Sequence, residues 1–186
     1  MPALTIDDAM IDWVERLHDV VDEVGAPIAR AHGERLNCKK GCAACCTDGL
    51  TVFEIEAAVI ERHYARLLEE GAPHAEDGCA FLGSNAECRI YGHRPYVCRT
   101  QGLPLRWLER EEAGDAYEAR DVCPLNLTGE GMPLEALPDE ACFTLGPFES
   151  RLAEKQSRLD GGVGRRVALR SLFAESRRHL PVVTNS

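Results

Sequence analysis

The chain has 186 residues, a formal net charge of −10, 45 % hydrophobic and 28 % charged residues, and nine cysteines. That length suits a single domain, and the hydrophobic share excludes a chain disordered throughout. No apolar run approaches the ~18 residues of a membrane span, and the acidic start MPALTIDDAMIDW is unlike a signal peptide. The expectation is a cytoplasmic protein whose reduced cysteines serve metal ligation or redox chemistry, not disulfides.

The first element expected is an amphipathic helix from Leu4 to about Val24. Ile6, Met10, Trp13, Val14, Leu17, Val20, Val21 and Val24 recur at helical steps. Thr5 stands at the N-cap, with Asp7 and Asp8 in the first turn. Gly25 and Pro27 should end this helix, and Ile28 to Leu36 reads as a second, shorter one. From Asn37 to Gly49 the cysteine-rich stretch lacks large apolar groups and reads as loop. Thr51-Val-Phe-Glu54 has capping-box form and should open a helix that ends near Glu70, before Gly71 and Pro73.

Cys79-Ala-Phe-Leu and Cys88-Arg-Ile-Tyr, separated by a Gly-Ser-Asn turn, read as two short strands of a hairpin. Pro95 should be the first residue of a helical turn that carries Cys98. Residues 103–122 carry a turn at Gly114-Asp115, and 121–138, rich in Pro and Gly, reads as irregular. Two helices should close the chain, Pro147 to Leu159 and Val163 to His179. The expected fold is mainly α with a small β hairpin, a compact helical domain around a cysteine-rich metal-binding loop layer. One domain, 1–186, would comprise N-terminal helices (1–37), a cysteine core (38–123) and C-terminal helices (145–180).

Up to Ser150 there are 28 acidic residues against 13 basic ones; from Arg151 onward, three against eight. An acidic body argues against nucleic-acid binding, which needs a basic surface to displace counterions. The basic tail has no aromatic interleaving and reads as a solvated helix or a dock for the acidic body.

Cys38, Cys42, Cys45 and Cys46 fall within nine positions, where overall composition would place roughly 0.4 cysteines. Thiolates this close repel one another and need a cation between them. Structural zinc is usually held by two short, well-separated cysteine pairs. Here one loop supplies C-x3-C-x2-C and the later cysteines, Cys79, Cys88, Cys98 and Cys123, come singly, which is the habit of iron–sulfur sites. The same string occurs in radical-SAM enzymes, but the βα series of their barrel is not legible. Adjacent side chains generally diverge, so Cys45 and Cys46 are expected to serve two centres, or one centre plus a packed thiol; eight cysteines could fill two four-thiolate sites and leave one over. For Cys79 and Cys88 the alternative is burial as small apolar residues.

Near the start of its helical turn, Cys98 should be stabilised as a thiolate. Arg94 and Arg99 flank it, and Lys39 and Lys40 lie beside Cys42; these cations could offset the charge of a thiolate-held metal. His63, His74 and His93 are weaker ligand candidates, His93 the best placed. A P-loop, Gly-x-Ser-x-Gly and HExxH are all missing from the sequence.

The series C-KKG-C-AA-CC, C-AFL, C-RIY-GH-RP-YV-CR and a later Cys123 resembles the YkgJ-type cysteine-cluster proteins, a zinc- or iron-chelating family. The resemblance spans Cys38 to Cys123 and implies metal binding by eight cysteines: Cys38, Cys42, Cys45, Cys46, Cys79, Cys88, Cys98 and Cys123. Cys142 lies outside it. The first spacing is x3 here, where some relatives have x2. A related cluster in a flagellin lysine methylase implies methyl transfer as one role in such proteins, although no glycine-rich SAM loop is legible here.

The expected cofactor is an iron–sulfur cluster of the [4Fe–4S] type on Cys38, Cys42 and Cys45, with Cys98 or Cys123 as the remote ligand. The accompanying role is electron transfer or a small redox or transfer reaction, with a protein partner or small-molecule substrate the sequence does not name. The alternatives are a zinc-stabilised interaction module without catalysis and a metal carrier.

Overall fold

The computed structural model describes residues 6–39, 41–110, 114–127 and 131–174. Helix α1 spans Asp8–His32 and is capped by Asp7, whose carboxylate accepts the Met10 amide at 2.8 Å. Thr5, the expected cap, lies outside the described residues. The helix does not stop at Gly25: Pro27 lies inside it and the expected second helix is its continuation, followed by a 3-10 turn at Gly33–Arg35. An interior proline costs about 3 kcal/mol. Packing outweighs that cost, because Val21, Gly25, Ile28 and His32 extend one buried stripe across the expected break. A Cβ on Gly25 would stand 3.2 Å from the Leu103 side chain, so the absent side chain permits a close approach there. His32 Nε2 is hydrogen-bonded to the Ala141 carbonyl at 2.8 Å.

Residues Thr51–Phe53 form strand β1, not a helix cap. β1 pairs antiparallel with β5 (Arg166–Ala168), and Thr51 Oγ1 accepts from Arg166 Nε at 3.2 Å. Helix α2 therefore begins at Glu54 and runs to Glu70, with Tyr64 kinked out of helical geometry. Its opening amides are satisfied from across the molecule: Glu54 N donates to the Arg165 carbonyl and Ile55 N to Gln156 Oε1. The distant partner does the work expected of Thr51.

The hairpin expected at 79–91 reduces to a single bridge between Leu82 and Cys88. The β hairpin of this fold is β2 (Leu105–Arg110) with β3 (Ala116–Asp121), turning near Gly114, and β4 (Phe143–Thr144) adds to β2 in parallel. Helix α3 spans Tyr96–Thr100, with Pro95 as its N-cap and not its first residue. Helix α4, Pro147–Asp160, agrees with expectation. The helix expected from Val163 to His179 is absent over 163–173: β5 and a 3-10 turn, Leu169–Leu172, occupy most of that stretch. Residues 175–179 lie outside the described set. A mainly α fold with small sheets thus stands, with its hairpin elsewhere than expected.

Helix α2 divides two apolar clusters. Ile55, Ala58 and Val59 face one with α1, Tyr96, Leu105, Phe143 and Leu152. Ala57, Ile60 and Leu68 face the other with Phe81, Ile90, Leu169, Leu172 and Phe173. Among the described residues no helix is long and apolar enough to cross a membrane.

Candidate metal centre

Seven of the nine cysteines line one cavity of ≈ 830 Å³: Cys38, Cys42, Cys45, Cys46, Cys79, Cys88 and Cys98. The fold therefore brings together thiols as far apart in sequence as Cys38 and Cys98. All nine cysteines are free. Cys142 is buried elsewhere, its thiol 4.0 Å from an Arg120 nitrogen.

Four anchors place these thiols. Asn126, 4 % exposed, accepts the Asn37 amide through Oδ1 at 2.7 Å. Its Nδ2 donates to the Gly102 carbonyl at 2.6 Å and to Cys38 Sγ at 3.3 Å, and its own amide donates to the Cys123 carbonyl. Gly102, at φ +90°, lies against Cys38 so closely that a Cβ there would sit 2.2 Å from the sulfur. Arg170 grips Asp48 through Nε at 3.0 Å and donates to the carbonyls of His74, Ala75 and Gly78, joining the first cysteine loop to the segment before Cys79. The Cys79 amide then donates to the Cys46 carbonyl at 2.8 Å. Buried Glu56, hydrogen-bonded to His18, accepts the Tyr96 amide at 2.8 Å and so seats α3, which carries Cys98.

Electrostatically the thiols crowd one another. Burial raises Cys38 above its ordinary value, and Cys42, Cys123 and Cys45 raise it further, while the Asn126 hydrogen bond opposes them. Burial also pushes up Cys79 and Cys88. Cys98 is pushed up to about 12, by burial first and then by Cys79, Cys88 and Cys45. That is the reverse of the expected helix-end stabilisation; α3 is five residues long and its thiol is desolvated. The Cys46 thiol supports a Cys45 thiolate by hydrogen bonding, which lowers Cys45 to about 6 and raises Cys46. The adjacent thiols thus meet, where divergence was expected.

The donor set fits a thiophilic metal. Among the described residues, thiols are the only soft donors on the cavity wall, and crowded thiolates require a cation to coexist. Its one carboxylate, Glu87, is engaged with the Asn85 amide. Residues 37–124 match the family model CxxCxxCC, described as a putative zinc- or iron-chelating domain. That match supports metal binding. The CxxCxxCC segment takes in all eight cysteines named from the sequence and leaves out Cys142. No curated protein and no solved structure matches the chain.

Cys123 is outside the cavity lining and reaches the site through Asn126 and its proximity to Cys38. Arg94 and Arg99 both line the cavity and both pair with Asp22 of α1. Arg99 also donates to the Arg94 and Gly92 carbonyls, so much of its donor capacity is engaged in holding the turn before α3. Arg94 lies over the Tyr91 ring at 4.1 Å, with its Nε buried and unpartnered. Lys39 lines the cavity; Lys40 lies outside the described residues.

Sequence reasoning missed Asn126, Gly102, Arg170 and Arg89, the last an electrostatic neighbour of both Cys79 and Cys88. No local pattern marks Asn126, Gly102 or Arg170, since each acts on a segment distant in sequence; Arg89 directly follows Cys88. Among the histidines, His63 and His93 come together with ring centroids 3.7 Å apart, beside Glu15 and Tyr64. The rings are stacked at 12°, and Glu15, His63 and His93 each offer one ligand atom, all within 4.8 Å of one another. His74 stands apart, facing Asp77.

Proposed function

We propose that this protein carries an iron–sulfur cluster of the [4Fe–4S] type and acts in electron transfer or a small redox or transfer reaction. Cys38, Cys42, Cys45 and Cys123 would hold the cluster, and Cys46, Cys79, Cys88 and Cys98 belong to the same thiolate constellation. The observation that carries the reading is the convergence of seven thiols on one cavity, with Cys123 tied to Cys38 through Asn126. Three ligands from one loop plus a remote cysteine favour a polynuclear centre over a compact zinc tetrahedron. When bound, the cluster supplies one-electron transfer at a potential set by its surroundings.

The chain's own residues prepare that site. Asn126 donates a hydrogen bond to the Cys38 sulfur, which lowers the basicity of that ligand. Arg94, through its unpartnered Nε, and Arg99 place positive charge beside the thiolates. The apolar wall of Leu50, Phe81, Ile90 and Leu169 limits water near the sulfurs.

Iron, acid-labile sulfide and visible absorbance of anaerobically prepared and reconstituted protein test the proposal. Broad charge-transfer bands with stoichiometric sulfide are expected. A colourless protein with stoichiometric zinc and no sulfide would overturn it in favour of the zinc module.

A further inference from the structure

Glu15, His63 and His93 come from three elements and meet at one place. Glu15 lies on α1, His63 on α2 and His93 in the 3-10 turn Tyr91–His93. Their ligand atoms, one from each, all lie within 4.8 Å of one another, close enough to converge on one cation. His63 Nε2 stands 2.5 Å from Glu15 Oε1, and the two imidazole rings stack with centroids 3.7 Å apart. None of the three residues lines the cysteine cavity.

An ion pair with a ring stacked on it accounts for His63 and Glu15, but His93 has a setting of its own. Tyr64, where α2 departs from helical geometry, puts its hydroxyl 3.1 Å from His93 Nδ1. With Nδ1 donating to that oxygen, Nε2 keeps the lone pair a metal needs; a polar neighbour of this kind commonly fixes a ligating histidine. Burial holds His93 below its ordinary value and His63 lowers it further, against the pull of Glu15. Face to face, the two imidazoles disfavour a doubly protonated state, so neutral nitrogen donors stand beside one carboxylate.

The guanidinium groups around this cluster are engaged by other carboxylates of α1. Arg62 pairs with Asp12 at 2.8 Å, and Arg94 and Arg99 both pair with Asp22. Glu15 instead faces the His63 ring. Two imidazole nitrogens and a carboxylate oxygen suit a borderline divalent cation and leave coordination positions open, whereas the cysteine cavity offers soft sulfur donors.

We propose that Glu15, His63 and His93 form a nitrogen–oxygen metal site, apart from the cysteine centre, for one divalent cation of the zinc or ferrous-iron kind. The cation takes the place of the proton between His63 and Glu15, and drawing in the His93 nitrogen tilts the rings out of their stack. Glu15 and His63 are partly exposed, so the ion enters from solvent and water completes its shell. The site does not depend on which metal the cysteines hold.

Equilibrium dialysis against cobalt(II), which accepts the same donors, tests this on full-length protein whose cysteine centre has first been filled by anaerobic reconstitution. Cobalt and the resident metal are measured in the same samples for wild type, Glu15→Gln, His63→Ala and His93→Ala. Wild type should take up one cobalt per chain with its resident metal unchanged, and each variant should bind that cobalt at least about tenfold more weakly. His74→Ala, remote from the cluster, should match wild type, and Tyr64→Phe should weaken binding by about tenfold. A wild-type chain that takes up cobalt only by exchange with its resident metal would overturn the proposal. So would wild-type affinity in either His63→Ala or His93→Ala. If His93→Ala disturbs the turn before α3 and sheds resident metal, His63→Ala and Glu15→Gln, on the outer faces of their helices, decide. Zinc in the cysteine centre would overturn the iron–sulfur reading and leave this site standing.

Discussion

Replacing Asn126 by alanine tests the main anchor of the site. The side chain is 4 % exposed and makes three hydrogen bonds, from the Asn37 amide and to the Gly102 carbonyl and Cys38 sulfur. Truncation deletes all three and strands the Asn37 N–H and the Gly102 C=O without these partners. Leaving a buried polar group unsatisfied costs about 1–3 kcal/mol, against about 1 kcal/mol for an ordinary hydrogen bond. The expected loss is roughly 2–5 kcal/mol, or a fall in Tm on the order of 10 °C for a chain of this size. Urea unfolding of the metal-loaded protein under anaerobic, reducing conditions measures it, with metal content determined on the same samples. Asn126→Asp keeps the acceptor for Asn37 but places a carboxylate beside Cys38 and the Gly102 carbonyl, so it should lose metal as well as stability. A stability for Asn126→Ala within about 0.5 kcal/mol of wild type, at full metal content, would refute the reasoning.

Cys142→Ser should retain full metal content, since Cys142 lies outside the cavity beside Arg120, whereas Cys98→Ser should lose metal; equal loss in both, by elemental analysis, would contradict the assignment. Chelation under reducing conditions should lower the Tm, because metal–thiolate bonds contribute folding free energy to the segment they organise; an unchanged calorimetric Tm would count against that. Gln156→Leu should cost about 1–3 kcal/mol in urea unfolding, because the Ile55 amide at the start of α2 loses its buried acceptor. Asp160 is held down at about 2 by the Arg165, Gly164 and Val163 amides and the Gln156 side chain, which outweigh its desolvation. Its depressed pKa adds stability that is full above the ordinary carboxylate range and fades as pH falls from about 4 toward 2; Asp160→Asn should flatten unfolding free energy against pH in that window.

Elements governed by local pattern were legible from the residues alone. The stripe from Met10 to Val21 marks α1, Gly71 and Pro73 mark the end of α2, and Pro147 with Gly161 brackets α4. The metal site was legible as composition, four cysteines in nine positions followed by single cysteines, and the family match covers the same span. Elements governed by partners were not. Thr51 has the local form of a cap but pairs with Ala168 in a sheet, and the helix it should have capped takes Gln156 instead. Leu105–Arg110 and Ala116–Asp121 carry charged residues on both faces, and are strands because they pair with each other and β2 also receives Phe143. Arg166 to Leu172 lies in the stretch expected as a closing helix, yet its edge closes on β1 and Arg170 reaches Asp48 and the 74–78 carbonyls.

The sequence by itself determined the donor chemistry, eight cysteines inside a span that matches a putative zinc- or iron-chelating domain, because donor chemistry resides in residue type. Only the tertiary structure decided which thiols meet. Cys38 depends on Asn126 and Gly102, Cys79 on Cys46 and on the 74–78 carbonyls held by Arg170, and Cys98 on Glu56, contacts between residues 33 to 96 positions apart. Such contacts form when the two apolar clusters on either side of α2 close, and the free energy that selects them is a property of that packing rather than of any local stretch of chain.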